Sequence, residues 1–597
     1  MWNSTFKRTA VLWTLGTSLR AQTPFRMDPV IVTASRMDTI GVVRSREAHV
    51  MPRSRIDLAP ASSLAGWIHY TGGCDVASRG CDGIQSDFSI RGSSFEQVLI
   101  LLDGVKMNNP QTGHHNADIP VAAADVDRIE ILTGHGSSLY GSGGFGGVIH
   151  VLTDASAKNR LRVDWKGGSH RTASGSLSQA FRFGPLSGTL AVEKAKSNGY
   201  RFDTDYDVTV FSFRSSLASG NSRIGLSFGQ REKDFGANGF YADYPSREKT
   251  LARQARLGIE IRPRSGPTLQ AQAYLNRNKD FFLLDLNRPD GYRNRHTTTV
   301  SGGSIQANGH FAINGDFALG IEGDDERMNS SRLGNRRLFK ASVWNQTAYP
   351  LSGTCSVDAE WRLDFGENRQ TQFNPSVGIA VAFLPTFRWR TSAGRAFRYP
   401  NFTELYYDDP ANHGNPNLKP EAAWCGETGW VLTRKSLRAE WTVFLRDERD
   451  RIDWIRQAEY EPWQATNLPR NTVAGMSLFC QRLFGETLTL IGSFTALRSS
   501  ARPDQESKYL SNTLERQSNF SAAIRWYGTV KQGVFITIKK RRESAAAAWL
   551  DSKISYGWKG LTVYLTVTNL TNTRYEEFPG IPMPGTRFMM GGTITIG

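Results

Sequence analysis

The feature that most restricts this chain is a period of two. From about residue 160 to the end, short segments alternate apolar and polar side chains between turn residues. Leu561, Val563, Leu565 and Val567 alternate with Thr562, Tyr564, Thr566 and Thr568. Leu269, Ala271, Ala273 and Leu275 alternate with Gln270, Gln272, Tyr274 and Asn276, and Leu488, Leu490, Gly492, Phe494 and Ala496 repeat the pattern. Strands with this period place one set on each face. Internal apolar runs such as Val98 to Leu102 fall far short of the ~20 residues of a membrane helix, which excludes a helical membrane protein. Two architectures remain. A soluble β protein turns the apolar face inward; a membrane β-barrel turns it to lipid and lines its lumen with the polar face. Alternation alone does not orient the faces. Length adds a constraint. The stretch from 160 to 597, at roughly 20 residues per strand and turn, holds about 22 antiparallel strands, a size at which barrels have a plugged lumen. Trp165, Trp441 and Trp526 stand at segment ends, as interfacial girdles require, although core packing would also use them.

Composition narrows the choice further. Glycine is 57 of 597 residues, above the usual ~7%, without a collagen repeat. The net charge is +16, yet no block of five Lys or Arg occurs, so a nucleic-acid partner is not expected. Lys7 and Arg8 precede the mostly apolar Thr9 to Leu19, with Ala21 beyond; this order predicts a secretory signal over residues 1–21. Export would put Cys74 and Cys81 where a disulfide can form, while Cys355, Cys425 and Cys480 leave an odd count.

Residues 36–155 are patterned differently. Short apolar strands such as Val98 to Leu102 and Val148 to Leu152 alternate with Gly-rich turns, which predicts a small mixed α/β domain of a size that could fill a 22-strand pore. Just before it, Asp28-Pro29-Val30-Ile31-Val32-Thr33-Ala34-Ser35 is a β-prone segment near a free end, able to add to a partner's sheet edge or to serve as an ordinary first strand. The Gly-rich Gly141-Ser142-Gly143-Gly144-Phe145-Gly146-Gly147 lacks a following Gly-Lys-Ser/Thr, so it is not a phosphate loop.

Four blocks carry a resemblance: Phe88-Ser89-Ile90-Arg91-Gly92, Val98 through Val105 with Asp103-Gly104, Val126-Asp127-Arg128-Ile129-Glu130-Ile131-Leu132-Thr133-Gly134, and Ser138 through Ile149. In order and spacing they resemble the plug of TonB-dependent outer-membrane transporters. His135 stands where that family usually has Pro, and His150 where Asn is common. Thr568-Asn569-Leu570-Thr571-Asn572 with Tyr575, then Pro584-Gly585-Thr586-Arg587-Phe588, resembles the family's last hairpin. The resemblance implies a barrel at 156–597 with an N-terminal plug at 36–155 inside its lumen, and makes Asp28 to Ala34 the TonB box. It implies a monomer in outer-membrane lipid that binds a small-molecule substrate and draws energy through TonB, with a surface lipoprotein as an optional partner. Arg91, Arg128 and Glu130 become candidates for plug–barrel ion pairs, since buried charges must be partnered.

The plug text Asn108-Asn109-Pro110-Gln111-Thr112-Gly113-His114-His115-Asn116, with residues 198–207 and 235–241, looks closest to cobalamin receptors of this family. Expected ligand contacts are His114, His115, Tyr241, Tyr406, Tyr407, His413 and Trp463, because aromatics offer area at low entropy cost. Such receptors order outer loops with calcium, and Asp203, Asp205 and Asp207 alternate so that a strand would put all three carboxylates on one face; a solvated acidic loop reads the same way. No covalent cofactor is expected. Haem is the rival substrate: Phe397-Arg398-Tyr399-Pro400, Asn415-Pro416-Asn417-Leu418 and the intervening His413 resemble boxes of haem receptors. Ferric siderophores are a further alternative, and a passive channel or adhesin the reading outside the family. No His-Glu-x-x-His, Gly-x-Ser-x-Gly or Cys/His cluster points to an enzyme.

Overall fold

In the computed structural model, residue 36 and residues 45–153, 158–311, 315–367, 369–501 and 505–597 are described. The expected signal at 1–21 and the TonB box at 28–35 lie outside them. The first part is a five-stranded mixed sheet. Its strands are β1 (Ala48–Pro52), β4 (Val98–Leu102), β5 (Val105–Lys106), β6 (Val126–Thr133) and β7 (Gly147–Thr153), ordered β1-β6-β7-β4-β5. The pair β2 (Asp75–Ser78) and β3 (Ser86–Ser89) forms a separate hairpin. β4 runs parallel to β7 in the sheet interior and is buried at every position, which is why Val98 to Leu102 reads as an unbroken apolar run. Val98, Ile100 and Leu102 join Ile129, Ile131, Ile149 and Val151 in the main core, together with Trp67 and Ile68 of the helix Leu64–Thr71, while Leu99 and Leu101 pack on the other face with Leu132 and Leu139. Each such side chain contributes about 1.5–3 kcal/mol on burial. Asp103 and Gly104 both take positive φ, 47° and 84°, the two-residue hairpin turn that an Asp-Gly pair favours. Asp103 also accepts hydrogen bonds from the Thr153 hydroxyl and amide at 2.6 and 3.0 Å, and His150 Nε2 accepts from the Gly104 amide at 3.0 Å. His150 therefore ties the β4–β5 turn to β7.

The rest of the chain closes on itself. Twenty-two antiparallel strands follow one another in sequence order, and the first, β8 (Arg160–Gly168), pairs with the last, Arg587–Ile596, from Gly168↔Met589 to Leu161↔Ile596. The polarity of the faces is now fixed. Val563, Leu565, Leu269 and Leu275 are 41–46% exposed, whereas Asn276 and Thr566 are buried. Deep in the interior lie Glu360, Arg362, Arg390 and Thr442. A soluble protein does not turn its Leu and Val outward and bury Arg and Glu; a lipid-embedded barrel does. Trp165, Trp441 and Trp526 are all exposed, as a girdle requires.

The two ends of the barrel differ. Two-residue turns such as Gly184-Pro185, Gly220-Asn221 and Lys559-Gly560 share one end with both termini of the barrel chain. Longer connections at 399–420, 457–462 and 569–586 occupy the other. Short turns are periplasmic and long loops extracellular in barrels of this kind. The strands Leu437–Arg456 and Trp463–Phe484 have 20 and 22 residues, roughly twice the 9–11 needed to cross lipid, and so extend outward as a wall.

The mixed domain sits inside. Glycines on the inner wall let its backbone approach: a Cβ at Gly229 would lie 2.0 Å from the Pro120 carbonyl, and one at Gly533 2.4 Å from the Leu58 carbonyl. Arg91 joins the two parts. Its guanidinium donates to Glu427 of the wall at 2.6 Å and to Glu47 at 2.8 Å. Glu427 also accepts from the Glu47 amide and from Arg390. Arg128, a candidate for a plug–barrel pair, donates within the plug to Glu130 at 2.8 Å, which shares its face of β6, and to the adjacent Asp127 at 3.1 Å. Cys74 and Cys81 are both buried free thiols, so the loop a disulfide would have closed is held by packing. On the periplasmic side a cavity of about 910 Å³ separates Pro52 to Leu58 from wall residues including Thr489, Lys531 and Tyr564.

Candidate substrate site at the outer mouth

A second cavity, about 420 Å³, opens between the plug apex and the long loops. The apex loop is shaped by Glu96, whose carboxylate accepts from the Gly113 amide at 2.7 Å and so fixes the single 3-10 turn Gly113–His115. Burial, reinforced by the nearby Glu404, pushes the Glu96 carboxyl up to about 7 despite Arg398. His114 stacks on Phe95 with ring centroids 4.2 Å apart and bonds Asp87 through Nδ1 at 2.9 Å. Asp87 is shared with Arg79, also at 2.9 Å. Burial would raise that carboxyl, but Arg79 and His114 outweigh it and hold it near about 2.

His115 points the other way, to the wall. Its Nδ1 lies 3.7 Å from Glu248 and its Nε2 3.7 Å from Asp280. Burial would lower its pKa, but the facing Asp280 and Glu248 carboxylates prevail and carry it up to about 9. Tyr241 donates to Glu248 at 2.8 Å and meets the His114 ring edge-on. Tyr407 bonds Tyr292 at 2.8 Å on the opposite rim.

Of the expected ligand contacts, His114, His115, Tyr241 and Tyr407 line the cavity. Tyr406, His413 and Trp463 sit outside its lining. Tyr406 lies under the Arg336 guanidinium, and Trp463 is held between Arg456 and Lys508. His413 is exposed and bonded to Asp408. The acidic trio is not brought together. The strand begins at Tyr206, so Asp203 and Asp205 precede it; Asp203 has φ 48°, Asp205 pairs with Arg247, and Asp207 pairs with Lys196 at 2.9 Å and with Lys194. Sequence reasoning missed Glu248, Asp280 and His296. They stand more than a hundred residues from His115 and share no local pattern with it; only the barrel register, with Glu248 opposite Phe282 and Asp280 opposite His296, brings them to one wall.

A closed barrel stoppered by a folded domain, with a binding cavity on the outer side, is a gated transporter of the outer membrane. The family model described as TonB-dependent Receptor Plug Domain matches residues 44–148, and that described as TonB dependent receptor-like, beta-barrel matches residues 144–570. The chain belongs to the TonB-dependent receptor family, whose members are outer-membrane transporters and receptors. It is 23% identical over 598 residues to a protein of Vibrio vulnificus (strain CMCP6) named vitamin B12 transporter BtuB, covering 96% of each chain. A Vibrio cholerae protein of the same name is 25% identical over 429 residues, 66% of each chain. Among solved structures, the siderophore receptor PirA of Acinetobacter baumannii has a TM-score of 0.78 at 15% identity, covering 94% of this chain and all of that one. The FrpB iron transporter of Neisseria meningitidis also scores 0.78, at 14% identity, covering 93% of this chain and all of that one. At such identities these structures share the fold.

Proposed function

We propose that the chain imports cobalamin, bound at the outer mouth and released inward when TonB engages residues 28–34. The observation that carries this reading is the charge of the cavity. Six carboxylates, Asp75, Asp87, Glu96, Glu248, Asp280 and Glu404, line it. Its arginines are already paired, Arg79 with Asp87 and Arg541 with Asp75 and Glu577, and its lining lysine, Lys508, donates to the Asn412 amide oxygen and lies over the Trp454 and Trp463 rings. A polyanionic ferric chelate would meet carboxylates with no arginine in reserve among the described lining residues, and the two propionates of haem fare no better. Neither apex-loop histidine stands ready as an axial haem ligand, since His114 is stacked and bonded to Asp87 and His115 lies between two carboxylates. An amide-rich corrinoid without net charge suits a wall of carboxylates, asparagines and aromatic faces, and the relatives named as vitamin B12 transporters support the same reading. The cavity would form the floor of that site, beneath the outer loops.

Equilibrium binding of cyanocobalamin, haem and a ferric catecholate to the purified protein tests this. Cyanocobalamin is expected to bind tightest, and Tyr407→Ala to weaken it about 10-fold, or about 1.4 kcal/mol. A haem Soret shift or catecholate binding with no cobalamin affinity would overturn the assignment. Energy coupling is tested separately. Val32→Pro removes a backbone donor from the strand that TonB must pair with, so uptake by cells is expected to fall to background while binding stays at the wild-type level. Uptake that survives this change would show that residues 28–34 are not the coupling segment.

A further inference from the structure

We propose that His115, Glu248 and Asp280 form a binding site for a divalent transition-metal ion of the zinc class at the plug–barrel seam. A donor atom from each of the three lies within 4.8 Å of the other two, the one such convergence of His, Cys, Asp or Glu among the described residues. A tetrahedral zinc ion with bonds of about 2.1 Å spaces its donors about 3.4 Å apart, so shifts of roughly 1 Å complete the set. A second observation points to a ligand. Glu248 is 1% exposed, and its Oε1, which faces His115, has no hydrogen-bond partner. Asp280 Oδ1 is likewise buried and unpartnered. Buried carboxylate oxygens are ordinarily satisfied. Their other oxygens are held in place: Tyr241 donates to Glu248 Oε2 at 2.8 Å, and Gln111 to Asp280 Oδ2 at 3.4 Å. One oxygen oriented by a neighbour and the other left bare is how ligating carboxylates are prepared.

The donor types select the ion. Calcium and magnesium take oxygen ligands, whereas an imidazole with carboxylates suits zinc and its neighbours. His296 is opposite Asp280 in the strand register and lines the same cavity, with Nδ1 bonded to Ser330 at 2.7 Å, and so adds a second imidazole to that wall. The ion would join plug apex to barrel wall directly at the floor of the outer cavity.

The test is calorimetric titration of zinc chloride into the intact, chelator-treated and dialysed protein, without cobalamin. One zinc ion per chain is expected. His115→Ala and Glu248→Gln should each weaken binding by more than about 100-fold, since losing even an outer partner of a ligand costs roughly 10–100-fold. Tyr241→Phe should fall within that lower range, and Asp203→Asn should change nothing. Each variant is checked for the heat-dependent gel migration of a folded barrel. Should a variant not fold, cobalt(II) bound to the wild-type chain reports instead, by visible absorption that zinc displaces. Absence of zinc binding by the wild type, or unchanged affinity in both His115→Ala and Glu248→Gln, overturns the site. Cobalamin binding measured in chelator judges the preceding proposal independently.

Discussion

Deleting residues 36–155 should turn an electrically silent protein into an open pore. In planar bilayers the full chain is expected to show no steady conductance, and the deletion large and persistent openings. The inner wall is what makes the pore. Glu360, Arg362, Arg390, Thr442 and Thr537 are buried by the plug, so its removal exposes polar surface that water fills at once. With the plug gone, 22 strands enclose a lumen wide enough for an aqueous channel. The same polarity explains why the barrel should persist without its stopper. Its lipid face is unchanged, its strand-to-strand ladder closes between β8 and Arg587–Ile596, and charges such as Arg362 gain hydration in place of protein partners. Heat-dependent migration of the deletion variant confirms a folded barrel. A correctly inserted variant that stayed silent would show that the outer loops, rather than the plug, seal the lumen; steady openings in the full chain would refute sealing altogether.

The repeated strands were legible because period two survives in almost every barrel segment, and the plug because Asp103-Gly104 and the buried run Val98 to Leu102 have few other uses. The direction of the faces was not legible. Leu565 and Thr566 alternate identically whether the leucine meets lipid or a soluble core; only closure of the sheet around a polar interior decides it. Pairwise partners were hidden for a related reason. Asp207 looks like a calcium ligand in isolation, but the neighbouring strand sets Lys196 directly opposite it. His115 looks like a simple ligand contact until two strands set Glu248 and Asp280 beside it. Side chains that matter at the seam come from elements whose register no local pattern encodes. The apex loop is more local: Glu96 accepts from the Gly113 amide and fixes the turn that carries His114 and His115, although the two rings then face different partners.

Arg91→Ala should release the plug more readily than any other single change at the seam. Arg91 is 8% exposed and held by Glu427 and Glu47, which are buried in their turn. Burial alone would push the Glu47 carboxyl up, but His49, Arg91 and Arg390 outweigh it and hold it well below the usual carboxylate range. Removing the guanidinium leaves two buried carboxylates short of charge, a loss of about 3–5 kcal/mol. Urea titration, read by protease access to the plug while gel migration shows the barrel intact, should therefore give a lower release midpoint. The backbone offers a control. Arg91 has φ 52°, a left-handed conformation that costs a residue other than glycine roughly 1–2 kcal/mol. Arg91→Gly relieves that strain yet loses the same ion pairs, so it should lie between Arg91→Ala and the wild type, nearer the alanine. Arg91→Met combined with Glu427→Gln removes charge from both sides and should cost less than the two single changes together, because the partners form one network. An Arg91→Ala protein that released its plug at the wild-type urea concentration would mean that the glycine-lined contacts at Gly229 and Gly533, rather than the ion pairs, hold the stopper. Glu47 immediately precedes β1, the first strand after the proposed coupling segment, so a pull from the periplasm would load the Arg36–Glu322 pair first and this anchor soon after.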